Sequence, residues 1–246
     1  MRIVRPDFRP DPSLDRDEMK SRQLEIANAA IFEDDLDIDP GSVTADGGSA
    51  IVAGVDQGFR GDTAVSAVVA MRAGEVIEQA SATKPTELPY IPGLLAFREA
   101  PAVLAALMEL DCEPDLVVFD GSGRIHYRQA GLATHVAVML DMPAVGVIKT
   151  LLCGTPRESI DPPLPAGARI PIDPDGEVEG PVDGPLGYAL QTRQFEGARY
   201  VNPVFVSPGH RIGADTATNL VEQLCAGYKL PEPIRLADRA ATELAE

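Results

Sequence analysis

Apolar residues recur along this chain in two rhythms, and the points where one gives way to the other mark its elements. Residues 14–32, LDRDEMKSRQLEIANAAIF, set Met19, Leu24, Ile26 and Ala30 among charges at helical spacing, which predicts an amphipathic helix lying on the core. A polar, glycine-containing stretch runs on to Ser49. IVAGVD (51–56), TAVSAVVAM (63–71) and GEVIEQAS (74–81) then predict three short strands in a meander, joined by the loop QGFRGD and a tight RAG turn. After the PYIPG turn, FREAPAVLAALMEL (97–110) is rich in Ala and Leu and predicts a helix that must stop before Glu113-Pro114.

The second half changes character. PDLVVFDG (114–121) is a continuous apolar strand closing on an aspartate, RQAGLATHVAVMLD (128–141) is a helix, and PAVGVIK (143–149) is a buried strand, so a parallel crossover is expected here. Residues 155–185 carry eight prolines and are expected to form an extended surface loop without regular hydrogen bonding. LGYALQT (186–192) and YVNPVFVSPG (200–209) predict a second hairpin, with Pro203 confining the latter strand to an edge or bulge. ADTATNLVEQLCAGY (214–228) predicts a last helix, and the charged tail 231–246 reads as peripheral. Antiparallel strands followed by helix, strand, helix and further strands describe a mixed α/β sheet of the ribonuclease-H-like kind, flanked by helices.

Composition bounds this picture. At 246 residues the chain suits one domain, with an N-terminal helix and linker (1–49), a core (50–230) and the tail. No segment approaches the roughly 20 uncharged apolar residues of a membrane span, and the N-terminus lacks the apolar stretch of a secretory leader, so a soluble cytoplasmic protein with no membrane partner is expected. Cys112, Cys153 and Cys225 stand singly and give neither a disulfide framework nor a CxxC site. Thirty-eight acidic against 21 basic residues give a net charge of −17, which opposes a phosphate-rich ligand. That opposition weakens at about 1 M salt, where the Debye length shrinks to about 3 Å, and an acid excess with few lysines fits a halophilic source.

Candidate chemistry lies at the strand ends. Asp56 closes the first apolar strand and Asp120 another, and adjacent strands are only about 4.8 Å apart, so the two acids can share one hard cation such as Mg²⁺. Either alone is more often a turn former. Glu99 begins a helix, where an acid also offsets the positive end of the helix dipole. Lys149 ends the strand GVIK, and Tyr90, braced by Pro89 and Pro92, projects an aromatic ring from a stiff turn.

A resemblance ties these residues together. PYIPGLLAFREAP (89–101), PDLVVFDGSGRIHYR (114–128), PAVGVIKTLLCG (143–154) and VSPGHRIGADTA (206–217) are similar, in order and spacing, to successive motifs of the endonuclease V family. The resemblance implies that Asp56, Glu99 and Asp120 bind metal (Mg²⁺, with Mn²⁺ as an alternative), that Lys149 is the active-site lysine, and that His210 lies near the scissile phosphate. It assigns the element Pro89, Tyr90, Ile91 and Pro92 to strand separation beside an extruded hypoxanthine, and part of the base pocket to Gly121, Gly123 and His126. The implied activity is nicking at the second phosphodiester 3′ to deoxyinosine in DNA, or inosine in RNA, leaving 3′-hydroxyl and 5′-phosphate ends, in repair of deaminated adenine.

The chain departs from that pattern at Ser122 and Tyr127, where the family often has GHG and HPR, and at Phe59, where a tyrosine is common. Two rival readings stay open: a ribonuclease-H-like nuclease that selects nucleic-acid structure rather than inosine, and a non-catalytic module that only holds nucleic acid or a protein. Arg98, Arg124, Arg128 and Arg211 adjoin the motifs and are the candidates for phosphate contact.

Overall fold

The computed structural model describes residues 1–44, 48–161, 163–195 and 200–246; parts of the polar linker (45–47) and of the proline-rich loop (162) fall outside the described residues. The meander forms as β1 (Val52–Arg60), β2 (Thr63–Arg72) and β3 (Glu75–Pro85), each longer than its apolar run because polar residues continue the ladder past the core. Ala73 and Gly74 both adopt positive φ (52° and 80°), which matches the twist of the strands they connect.

Helix α1 (Arg16–Ala29) starts where Asp15 accepts from the amides of Asp17 and Glu18 while the Glu18 carboxylate takes the Asp15 amide, a reciprocal cap worth about 1 kcal/mol. Its face buries Met19, Gln23 and Ile26. Helix α2 (Leu95–Met108), strand β4 (Leu116–Asp120), helix α3 (Leu132–Leu140) and strand β5 (Ala144–Ile148) follow as expected, and β1–β4 and β4–β5 pair in parallel.

The proline-rich region is not wholly irregular. Within it lie β6 (Thr155–Pro156) and β7 (Arg169–Asp173), and β7 pairs with β8 (Gly187–Leu190). Ile170 and Ile172 alternate inward from β7 into a cluster with Ile125, Leu186 and Phe205, enough apolar burial to hold a strand despite Pro171 between them. The expected second hairpin forms between β8 and β9 (Val204–His210), with Pro203 one residue outside the strand. Helices α4 (Ala214–Leu224) and α5 (Glu232–Ala245) complete the chain.

Among the described residues nine strands join one sheet in the order β3-β2-β1-β4-β5-β9-β8-β7-β6. Alternation along β1 and β4 divides the core. Ala53, Val55, Val117 and Phe119 face α2 and α3, packing with Val103, Leu107, Val136 and Met139. Val52, Leu116 and Val118 face the other way, toward Leu220 and Val221 of α4 and Ile234 of α5. Helices thus cover both faces of a ribonuclease-H-like sheet.

The peripheral tail of the sequence reading is therefore corrected. Residues 232–245 form a helix whose Pro233, Ile234, Ala237 and Ala241 are buried against the sheet. Gly54 makes this seating possible, because a Cβ there would stand 2.1 Å from the Pro233 carbonyl carbon. Among the described residues no helix is long and apolar enough to cross a membrane.

Candidate active site

Asp56 and Asp120 occupy equivalent positions on neighbouring parallel strands, one residue past the register pair Val55 and Phe119. Both therefore leave the sheet at the same end and on the α4–α5 face. A third acid meets them there. One carboxylate oxygen from each of Asp56, Asp120 and Asp238 lies within 4.8 Å of the others, and Asp238 is carried by α5. Opposed ligands of a hard cation bound at about 2.1–2.5 Å stand about 4–5 Å apart, so this oxygen-only trio fits a divalent cation of the Mg²⁺ or Mn²⁺ type.

The electrostatics describe a site short of positive charge. Burial first, then the charge of Asp120 and that of Asp238, push the Asp56 carboxyl up to about 7, against the opposing pull of its hydrogen bond to the Gln57 amide and of Lys149. Glu99 is likewise pushed up to about 7, by burial and by Asp56 and Asp120, with Arg98 pulling the other way. Burial first and the neighbouring acids second make both carboxyls costly to ionise, a cost that a bound divalent cation would offset.

Glu99 reaches this neighbourhood from α2, on the opposite face of the sheet, so the charges couple around the strand ends although Glu99 is not one of the three mutually close acids. Lys149, just past β5, donates from Nζ to Asp120 Oδ2 at 2.7 Å and stands 3.8 Å from Asp238 Oδ1. Burial opposes its charge, but the hydrogen bond and the fields of Asp120, Asp238 and Asp56 outweigh this and raise its pKa.

Beside the acids opens a pocket of about 290 Å³, small for a ligand site, lined by Glu99, Gln57, Gly121, Ser122, His126 and Gly93 among others. Tyr90 stands at its rim with 66% of its surface exposed. Pro92 also lines it, whereas Ile91 turns away to pack with Met19, Leu94 and Phe97, and Pro89 is exposed outside the lining.

The turn is anchored through one atom. The Gly93 carbonyl accepts from Gln23 Nε2 (3.0 Å), His126 Nε2 (3.1 Å) and Arg128 Nη2 (3.2 Å). His126 accepts the Arg128 amide at Nδ1, which fixes a neutral ring, and burial pushes its pKa down to about 3. His126 is thus a buttress as well as a wall. Tyr127 packs its ring against Gly93, whose φ is 76°, and Ser122 lies against Gly131, so both departures from the family pattern are built into the pocket's frame. Gly123 is required by the passing strand, since a Cβ there would be 2.3 Å from the Pro208 carbonyl oxygen. Gly121 closes the turn after β4 by donating to Val147 O.

His210 does not join these residues. It pairs with Ala144, at the start of β5, whereas the acids and Lys149 gather where β5 ends, so about 13 Å of strand separates them at about 3.3 Å per residue. Both ring nitrogens are committed: Nδ1 accepts the Ile31 amide and Nε2 donates to Asp141 Oδ1 at 3.1 Å. The ring is buried and its pKa lowered by burial. The expectation that His210 lies near the scissile phosphate is corrected on that geometry. Sequence reasoning also missed Asp238, although Ile234, Ala237 and Ala241 repeat at helical spacing and mark the face beside which it sits.

Known proteins share this sequence and fold. The family model described as Endonuclease V matches residues 39–239. Endonuclease V of Halobacterium salinarum is 54% identical, the match covering 99% of this chain and 100% of that protein. The crystal structure of endonuclease V from Streptomyces avermitilis superposes with a TM-score of 0.77 at 34% identity, covering 96% of each chain. The fold is shared too with Ciona intestinalis endonuclease V, solved with a 24mer DNA containing an inosine followed by a ribo-adenosine (TM-score 0.72, 22% identity, 93% of this chain and 96% of that one).

Proposed function

The chain belongs to the endonuclease V family, and from that premise we propose that it is a divalent-metal-dependent nuclease that nicks one strand at the second phosphodiester 3′ to a deoxyinosine or inosine. The observation that carries the reading is the convergence of Asp56, Asp120 and Asp238 beside a small pocket framed by the Tyr90 turn. Asp56, Asp120 and Asp238 would hold Mg²⁺ or Mn²⁺, with Glu99 as the fourth acid. When bound, such a cation supplies an activated water and neutralises charge on the leaving 3′-oxygen.

The remaining work falls to this chain's own groups. Lys149 holds the Asp120 carboxylate in place and sets a positive charge where the phosphate's negative charge grows in the transition state. Tyr90, unsupported by the core, is free to fill the gap that an extruded base leaves in its stack. The base enters the pocket between the PYIPG turn and residues 121–126, where neutral His126 holds the walls at a fixed spacing. Extrusion costs a few kcal/mol and least for a damaged or mismatched base, which favours hypoxanthine over paired adenine before any hydrogen bond is read. Repair of deaminated adenine in DNA is the resulting role.

Incubation of matched inosine- and adenosine-containing oligonucleotides with Mg²⁺ tests this reading. Cleavage of the inosine strand alone, one nucleotide beyond the lesion's own 3′ phosphodiester, is the expected result. Equal cutting of both strands favours a structure-selective nuclease, and no cutting of either favours a binding module.

A further inference from the structure

A chain of net charge −17 needs cations wherever it grips a phosphate strand, and the structure commits most of the candidates elsewhere. Arg124 lies over the Phe32 ring at 4.8 Å and donates to Gln129 Oε1 and Asp183 O. Arg128 donates to Gln23 and the Gly93 carbonyl and pairs with Glu179. Arg211 is paired with Asp35 and Asp37, and Lys149 with Asp120 and Asp238.

Arg98 is different. It sits in the first turn of α2 beside Glu99, partly exposed, and its Nε is buried without a hydrogen-bond partner. Among the described residues it makes no ion pair, although the chain carries 38 acids. The guanidinium is held by a ring instead: its central carbon stands 4.5 Å from the centroid of Phe59. Phe59 lies on β1 two residues beyond Gln57, on the same face of the strand, and Gln57 and Glu99 both line the pocket.

A stacked guanidinium is weakly hydrated and pre-oriented, and its edge donors remain free to fork onto phosphate oxygens. We propose that Arg98 binds a backbone phosphate of the substrate strand next to the extruded base, and that Phe59 is a positioning residue that holds the guanidinium in the plane this contact needs. The proposal rests on the reading of the chain as an inosine-directed nuclease. Phe59, where the family commonly has a tyrosine, supplies the ring face without needing the hydroxyl.

Fluorescence anisotropy of labelled inosine and adenosine oligonucleotides, in EDTA and across a KCl series, tests it on the full chain. Arg98→Met is expected to bind about tenfold more weakly at 0.2 M KCl, with a salt slope shallower by about 0.7–0.9, the counterion release of one phosphate. The inosine-to-adenosine ratio stays at the wild-type value, because a phosphate contact carries no base information. Phe59→Leu weakens binding about two- to fivefold, as loss of one cation–π contact does, and Phe59→Tyr restores it. If Arg98→Met does not fold, Arg98→Lys, which keeps the charge and loses the fork, is expected to bind about threefold more weakly. Wild-type affinity and salt slope in the Arg98 variants overturn the assignment and leave the nuclease reading standing. A wild-type protein that neither binds nor cuts inosine strands in preference to adenosine strands removes that reading, and the assignment with it.

Discussion

Lys149 Nζ donates to Asp120 Oδ2 at 2.7 Å, so the lysine that follows β5 is bonded directly to one of the three clustered acids. The contact joins the end of β4 to the residue after β5, and it is the strand register that brings these two charges together. Because Lys149 is 46% exposed, its value for folding is small, and its value for chemistry is the charge it holds beside the acids.

Lys149→Met is expected to lower kcat by about 10²-fold, the range for removing one preorganised charge from a transition state. Thermal stability should change by less than about 1 kcal/mol. Steady-state kinetics together with a melting curve check both halves.

Asp56 gives a pH signature. Its folded pKa of about 7 lies above the ordinary 3.8, so the metal-free fold is most stable below about pH 4 with respect to this group, and loses that contribution as pH rises through 7. Asp56→Asn removes the repulsion. In EDTA at pH 8 the variant should therefore be more stable than wild type, by of order 2–4 kcal/mol, with the gain fading toward pH 4 and activity abolished at every pH. Melting temperatures from pH 4 to 8 provide the test, and a variant less stable at pH 8 would contradict the unfavourable burial of the Asp56 charge.

His210 separates the corrected geometry from the motif-based expectation. His210→Gln should cost about 1–3 kcal/mol, because the Ile31 amide and Asp141 lose well-placed partners, yet kcat should stay within about threefold of wild type. A 100-fold fall in kcat without loss of stability would return His210 to the reaction.

Tyr90→Ala should leave the melting temperature unchanged, since the residue is two-thirds exposed. Cleavage of duplex should fall about tenfold more than cleavage of a single strand, where no stack has to be opened. Parallel assays on the two substrates measure the ratio.

Much of this was legible in the chain. Short apolar runs placed β1, β2, β4 and β5, and an aspartate closing two of those runs marked the end of the sheet where the acids cluster. Asp238 was not legible, because a charged terminal helix shows its purpose only once Gly54 is seen to admit it against β1. His210 misled for the opposite reason. Its motif is strong, but a strand has two ends, and only the antiparallel pairing of β9 with β5 tells which end the histidine occupies. The strand at 169–173 was hidden by prolines, since composition weighs Pro171 and cannot see that its neighbours Ile170 and Ile172 have a core to enter.

The central claim is that Asp56, Asp120 and Asp238 share a cation, and anomalous diffraction from crystals soaked in Mn²⁺ addresses it directly. A peak within about 2.5 Å of an oxygen from all three, lost in Asp238→Asn, is the predicted result. Manganese bound without Asp238, or no peak among the three acids, would contradict it.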